Sequence, residues 1–134
     1  MENDGHFSGE IVGIGTDLTD VVRIRALLEK YSGAFLKKAF GDVEVSYCMS
    51  LANPAESLAA RFAAKEAVAK ALGTGFSEGV TPRGIVVVKT PSGAPQVELD
   101  APSKKIMDSL GGKKIFLSLT HTKDYAQAFA IITR

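Results

Sequence analysis

Three stretches of this chain hold side chains able to steady charge or move protons. Asp17 closes the glycine-rich run Ile11-Val12-Gly13-Ile14-Gly15-Thr16-Asp17. Glu66 and Lys70 stand four residues apart in Ala60-Arg61-Phe62-Ala63-Ala64-Lys65-Glu66-Ala67-Val68-Ala69-Lys70-Ala71-Leu72-Gly73-Thr74-Gly75. On a helix that spacing makes them near neighbours. His121 falls in Leu117-Ser118-Leu119-Thr120-His121-Thr122-Lys123-Asp124-Tyr125-Ala126. Each also has an ordinary reading. Asp17 alone can shape a turn. Glu66 with Lys70 alone is a surface pair worth about 0.3 kcal/mol. A histidine after a strand is often a hydrogen-bonded structural residue. Lys65 differs, because it falls in the middle of an apolar stripe. An unpaired buried ammonium is costly, so Lys65 must snorkel, pair or face a polar cleft. Cys48, the only cysteine, has no histidine at a spacing that favours nucleophilic catalysis and reads as a structural buried thiol.

These groups need elements to position them. Residues 11–17 read as a strand whose glycines, Gly13 and Gly15, let another backbone approach. Residues 20–31 read as an amphipathic helix with Val21, Ile24, Leu27 and Leu28 at helical spacing and Asp20 as its N-cap. Ser32-Gly33 breaks it, and short helices follow over 34–39 and 43–49. Asn53 as cap, Pro54 at the first position and Glu56 in the first turn open a long helix over 55–72, which Gly73 stops. Its wheel is apolar on two sides. Leu58, Phe62, Ala69 and Leu72 form one side, and Ala60, Ala64, Ala67 and Ala71 the other, so it is expected to be sandwiched. Strands over 84–90 and 95–99 flank the turn Pro91-Ser92-Gly93-Ala94 as a hairpin. A short helix over 103–110 precedes strands over 114–120 and 125–132. The expected fold class is α+β, a single domain with a mainly antiparallel sheet packed around a long central helix.

Composition narrows the function. The chain has 134 residues, 46% apolar and 23% charged, enough for one core. A net charge of +1, from 16 basic and 15 acidic residues, gives no case for a nucleic-acid partner. No stretch approaches the roughly 20 apolar residues that span a bilayer, so no membrane role is expected. One cysteine allows no internal disulfide, which suits a cytoplasmic setting. Residues 1–10 are expected to be a flexible tail, with the domain over 11–134. His6, within that tail, carries no assignment.

Taken in order, Gly13-x-Gly15-x-Asp17, the run Phe62 to Gly73 (F-A-A-K-E-A-x-x-K-A-x-G) and Ser118-x-Thr120-His121 resemble the holo-acyl-carrier-protein synthase family of 4′-phosphopantetheinyl transferases over about residues 11–132. The resemblance implies transfer of phosphopantetheine from coenzyme A to a serine of apo-acyl carrier protein, releasing adenosine 3′,5′-bisphosphate, in fatty acid biosynthesis. It implies that Asp17 and Glu66 bind Mg²⁺ and that Lys70 contacts the coenzyme phosphates. Arg61, Lys65, Gly73, His121 and Thr122 are implied at the coenzyme site, and Arg23 in docking the acidic carrier. A homotrimer with each site at a subunit interface is also implied. Glu66, directly or through a water, and His121 are the alternatives for the base that takes the serine proton. Two departures stand out. The polar extension before Ile11 is longer than usual, and Thr81-Pro82-Arg83-Gly84 lacks the aromatic-plus-acidic pairing many members show. Two rival readings use the same residues: a magnesium-dependent phosphohydrolase, and a non-catalytic module whose carboxylates only form salt bridges.

Overall fold

The computed structural model describes residues 9–134, so most of the expected tail lies outside the described residues. Its last position, Glu10, is tied down. The Glu10 carbonyl accepts the Arg134 N–H at 2.9 Å, and the Glu10 carboxylate pairs with Arg134 Nε at 2.8 Å.

Strand β1 (Ile11–Asp20) extends beyond the expected Asp17 because its pairing with the last strand continues to Asp20↔Tyr125. Helix α1 (Val21–Ala39) begins where the Asp20 carboxylate accepts the Val22 N–H at 2.9 Å. The expected break at Ser32-Gly33 is present: Ser32 takes the non-helical φ 44°, ψ −117°, and two helical segments meet there at a kink. Helix α2 (Asp42–Met49) follows, then the central α3 (Pro54–Ala71). Asn53 makes no side-chain cap bond. Pro54, at the first helical position, has no N–H to leave unpaired there. Strands β2 (Ile85–Lys89) and β3 (Pro95–Leu99) form the hairpin. Helix α4 (Ala101–Ser109) starts two residues early because Asp100 accepts the Ser103 N–H at 3.1 Å. Strands β4 (Lys114–His121) and β5 (Tyr125–Thr133) complete the chain.

Strands β1, β5 and β4 form an antiparallel sheet in that order, and β2–β3 a separate two-stranded one. Successive strand residues face opposite sides. The register Gly13↔Ile132, Gly15↔Ala130, Asp17↔Ala128 puts these residues on one face. Against that face lies α3. A Cβ on Gly13 would strike the Ala71 carbonyl, and one on Gly15 the Ala67 carbonyl. The glycines of β1 and the alanines of α3 thus set the distance between strand and helix. One core joins Ala63, Ala67 and Val68 of α3 to Ile85, Val87, Ala128 and Ile132. A second joins Leu58 and Ala59 to Val21, Ile24 and Phe40. The helix is sandwiched, as its two apolar sides require. On the other face of the sheet, Ile14, Leu18 and Phe129 stand exposed.

Candidate active site

The alternation that buries Gly13 and Gly15 against α3 also turns Asp17 toward it. Asp17 is half-buried and meets Glu66 and Lys70 across the strand–helix contact. Lys70 Nζ lies 3.3 Å from Asp17 Oδ1 and donates to the Thr16 carbonyl at 2.9 Å. That carbonyl is available because β1 is an edge strand. Thr19, two residues along the same face, donates to Asp17 Oδ2 at 2.7 Å and orients the carboxylate.

Partial burial pushes the Glu66 carboxyl above the usual carboxylate range, and the charge of Asp17 and a hydrogen bond to it add to that. Lys70 and Arg23 pull the other way. Arg23, exposed in the first turn of α1, therefore sits within electrostatic reach of this cluster. Two facing carboxylates suit a small hard cation that takes one or two carboxylates and fills its shell with water and phosphate oxygens. No group of three or more His, Cys, Asp or Glu residues forms a larger metal cage among the described residues.

A second group lies elsewhere on α3. Arg61 and His121 line a cleft of about 550 Å³ with Glu56, Ser57, Tyr47 and Lys89. Arg61 is only 8% exposed. Its Nη1 donates to Ser57 Oγ at 3.0 Å and its guanidinium stacks 4.6 Å from the Tyr47 ring centre. Its buried Nε has no hydrogen-bond partner among the described residues. A desolvated guanidinium with an unused N–H beside a cleft suits a phosphate. His121 Nδ1 lies 3.5 Å from Glu56 Oε1.

The remaining expected residues have other surroundings. Lys65 does not line that cleft. It is fully buried, and its Nζ donates to Glu44 Oε1 at 2.6 Å, the Pro82 carbonyl at 2.8 Å and the Ile85 carbonyl at 2.6 Å. All three of its protons are used, so of the three fates open to it, pairing is the one realised. Burial pushes its pKa down, against the pull of Glu44. Gly73 takes φ +86°, the left-handed turn that ends α3. The Thr122 hydroxyl accepts the Asp124 and Tyr125 N–H groups at 3.2 and 3.1 Å, holding the β4–β5 turn. Cys48 is buried, and desolvation pushes its thiol up, as suits a structural residue.

The sequence reading missed Thr19, Glu56, Ser57, Tyr47 and Lys89. Ser57 was detectable, since it precedes Arg61 by four residues on the helix. Tyr47 and Lys89 come from α2 and β2, and no local spacing links those elements to α3.

Two carboxylates and a lysine at the crossing of a sheet and a central helix suit a phosphate-bearing ligand held with a divalent ion. A family model described as the 4′-phosphopantetheinyl transferase superfamily matches residues 13–130, and the chain belongs to that superfamily. It is 39% identical over 122 residues to the holo-[acyl-carrier-protein] synthase of Koribacter versatilis, covering 91% of this chain and 98% of that one. It is 45% identical over 118 residues to that of Chlamydia caviae, covering 88% and 93%. Among solved structures, the Neisseria meningitidis holo-[acyl-carrier-protein] synthase superposes with a TM-score of 0.86 at 33% identity, covering 93% of this chain and 100% of that one. The Helicobacter pylori enzyme, in complex with coenzyme A, gives 0.78 at 28%, covering 90% and 99%.

Proposed function

We propose that the chain is a holo-acyl-carrier-protein synthase. It moves phosphopantetheine from coenzyme A to a serine of an apo-acyl carrier protein, with Mg²⁺ held by Asp17 and Glu66. The observation that carries this is the meeting of Asp17, Glu66 and Lys70 where the glycine face of β1 crosses α3.

In the reaction the serine oxygen bonds to the phosphorus next to pantetheine. The bridging P–O bond breaks, and adenosine 3′,5′-bisphosphate leaves with the bond's electrons. When bound, the metal ion supplies Lewis acidity to the pyrophosphate. Lys70 adds a positive charge beside the same oxygens, where negative charge grows. The serine proton passes to Glu66, directly or through a water, or else to His121. Thr19 holds Asp17 in orientation. Arg61, with its unused buried N–H, and His121 bind the coenzyme's other phosphate-bearing end in the cleft.

Arg23 is assigned to the acidic carrier, since it is exposed beside the reacting cluster. Self-association, with a homotrimer as the expected state, is supported by the outer sheet face. Ile14, Leu18 and Phe129 there are 58%, 64% and 42% exposed, and Lys70 lines a shallow recess with Ile14 and Phe129. A second copy covering that face would close over the edge of the metal site. No helix among the described residues is long and apolar enough to cross a membrane, and a cytoplasmic location is part of this proposal.

The test is intact-mass analysis of an apo-acyl carrier protein incubated with coenzyme A, Mg²⁺ and this protein. The carrier should gain one phosphopantetheine, and chelation should abolish the gain. Release of adenosine 3′,5′-bisphosphate at full rate without carrier would instead make the protein a hydrolase. Light scattering after size exclusion reads the trimer.

A further inference from the structure

Among the described residues, Lys65 and Glu44 form a fully buried salt bridge that the reaction leaves unused. Their ion pair reaches well beyond its own two members. Glu44 Oε1 accepts the Gly41 N–H at 2.8 Å as well as Lys65, and Glu44 Oε2 accepts the Val87 N–H at 2.9 Å. Lys65 also holds the carbonyls of Pro82 and Ile85. Helix α2, helix α3, the approach to the hairpin and strand β2 therefore meet at one charge pair.

The bonds to β2 decide what the pair does. That strand has one strand neighbour, β3, so its other edge presents backbone groups that no strand satisfies. Buried, such groups each need a partner. The Ile85 carbonyl finds an ammonium and the Val87 N–H a carboxylate. Two side chains stand in for a missing strand. Two residues beyond Ile85 and from there onward, Val87, Val88 and Lys89 form one wall of the 550 Å³ cleft, while Glu56, Ser57 and Arg61 of α3 form another. Arg61 lies one helical turn before Lys65. The ion pair is thus the polar link between the hairpin wall and the helix wall. A buried ion pair adds little net stability over apolar residues of similar volume, so what it contributes here is its set of directed bonds to both walls.

We infer that Lys65 and Glu44 are positioning residues for coenzyme binding: they touch no ligand and set the spacing of β2 from α3 that the cleft requires. This rests on the assignment of the cleft to coenzyme A. The two ideas separate experimentally through Arg61, which faces the cleft, and the ion pair, which does not.

The experiment compares the full-length protein with Arg61→Ala, Glu44→Gln and the double variant Lys65→Met with Glu44→Leu. Lys65→Met alone strands a buried carboxylate and is expected to fold poorly, whereas the double variant removes both charges. Steady-state transfer is measured against coenzyme A and against carrier protein, below each variant's melting temperature. In Glu44→Gln and in the double variant, KM for coenzyme A should rise about tenfold with kcat within about twofold and KM for carrier unchanged. An unchanged KM for coenzyme A in the folded double variant overturns the inference, leaving the pair a role in stability alone. An unchanged KM in Arg61→Ala overturns the cleft assignment, and the inference with it. Amide hydrogen exchange on the unsubstituted protein gives a reading that no folding failure can blur. The Val87 amide should exchange slowly, and more slowly still with coenzyme A bound. Fast exchange, or none of that response to coenzyme A, counts against the link.

Discussion

Lys65 and Glu66 are adjacent in sequence, both charged, and on the same helix, yet they meet opposite fates. On one side α3 faces α2 and the hairpin, and Lys65 is sealed there with all its protons engaged. On the other it faces an edge strand, and Glu66 is only partly buried and is set against a second carboxylate. The first arrangement is satisfied and holds walls together. The second is left unsatisfied: burial first, and the Asp17 charge after it, make the ionised Glu66 costly, and a divalent ion would relieve that cost. A charge with every partner in place is part of the structure, and one that keeps an unfavourable neighbour at a solvent edge is available for chemistry.

The largest effect should come from removing the Glu66 charge. Glu66→Gln keeps the shape and deletes the charge, and transfer should fall by at least about a hundredfold. Stability should move the opposite way. Because the folded chain raises the Glu66 pKa, it holds an extra proton between the unfolded value and the raised one, and stability falls as pH rises through that window. Above it the ionised carboxylate is a net cost that glutamine lacks. Without divalent ions at neutral pH, the variant should therefore melt no lower than the parent. Calorimetry with and without Mg²⁺ checks both parts. A variant that melts much lower would place Glu66 with Lys65 as a structural charge.

Gly15→Ala sharpens the comparison from the backbone. Its Cβ would strike the Ala67 carbonyl, which cannot turn aside. Strand β1 must lift from α3, carrying Asp17 away from Glu66 and Lys70. The expected loss is about 3 kcal/mol of stability, read by urea unfolding, together with most of the transfer activity. Full activity would mean that Asp17 need not meet α3.

Lys70→Ala should slow transfer about tenfold and weaken coenzyme binding. Since the Lys70 charge favours ionised Glu66, its loss pushes the Glu66 pKa further up. The acidic limb of the pH–rate profile should then shift to higher pH. A drop in stability with no change in rate or pH limb would reduce the pair to an ordinary salt bridge.

How far the sequence foretold this depends on range. The long helix, its two apolar sides and its glycine stop were legible because capping and periodicity act within a turn or two. The Asp17–Glu66–Lys70 cluster was legible through a family likeness and through the glycines of β1, whose spacing matches close approach. The fate of Lys65 was not. Its position in an apolar stripe allowed three outcomes, and the choice was made by Glu44, 21 residues away, and by two backbone carbonyls of a segment that only the fold brings near. The cleft walls from Tyr47 and Lys89 were hidden for the same reason.

The smallest expected effect tests whether stability can be changed without touching either side of α3. Ser32 sits at φ 44°, ψ −117° in the α1 kink, a conformation that glycine adopts freely and a side chain resists. It is exposed, as is Gly33, which has open space around it. Ser32→Gly should relieve the strain, and the gain should outweigh glycine's extra unfolded-state entropy by about 1 kcal/mol. The melting temperature should rise by a few degrees, while KM for both substrates stays unchanged. A stabilised variant with altered carrier KM would show that the kink, and not only Arg23 at the start of the same helix, shapes the partner surface. An unstabilised one would mean that serine holds this turn through contacts that offset its backbone strain.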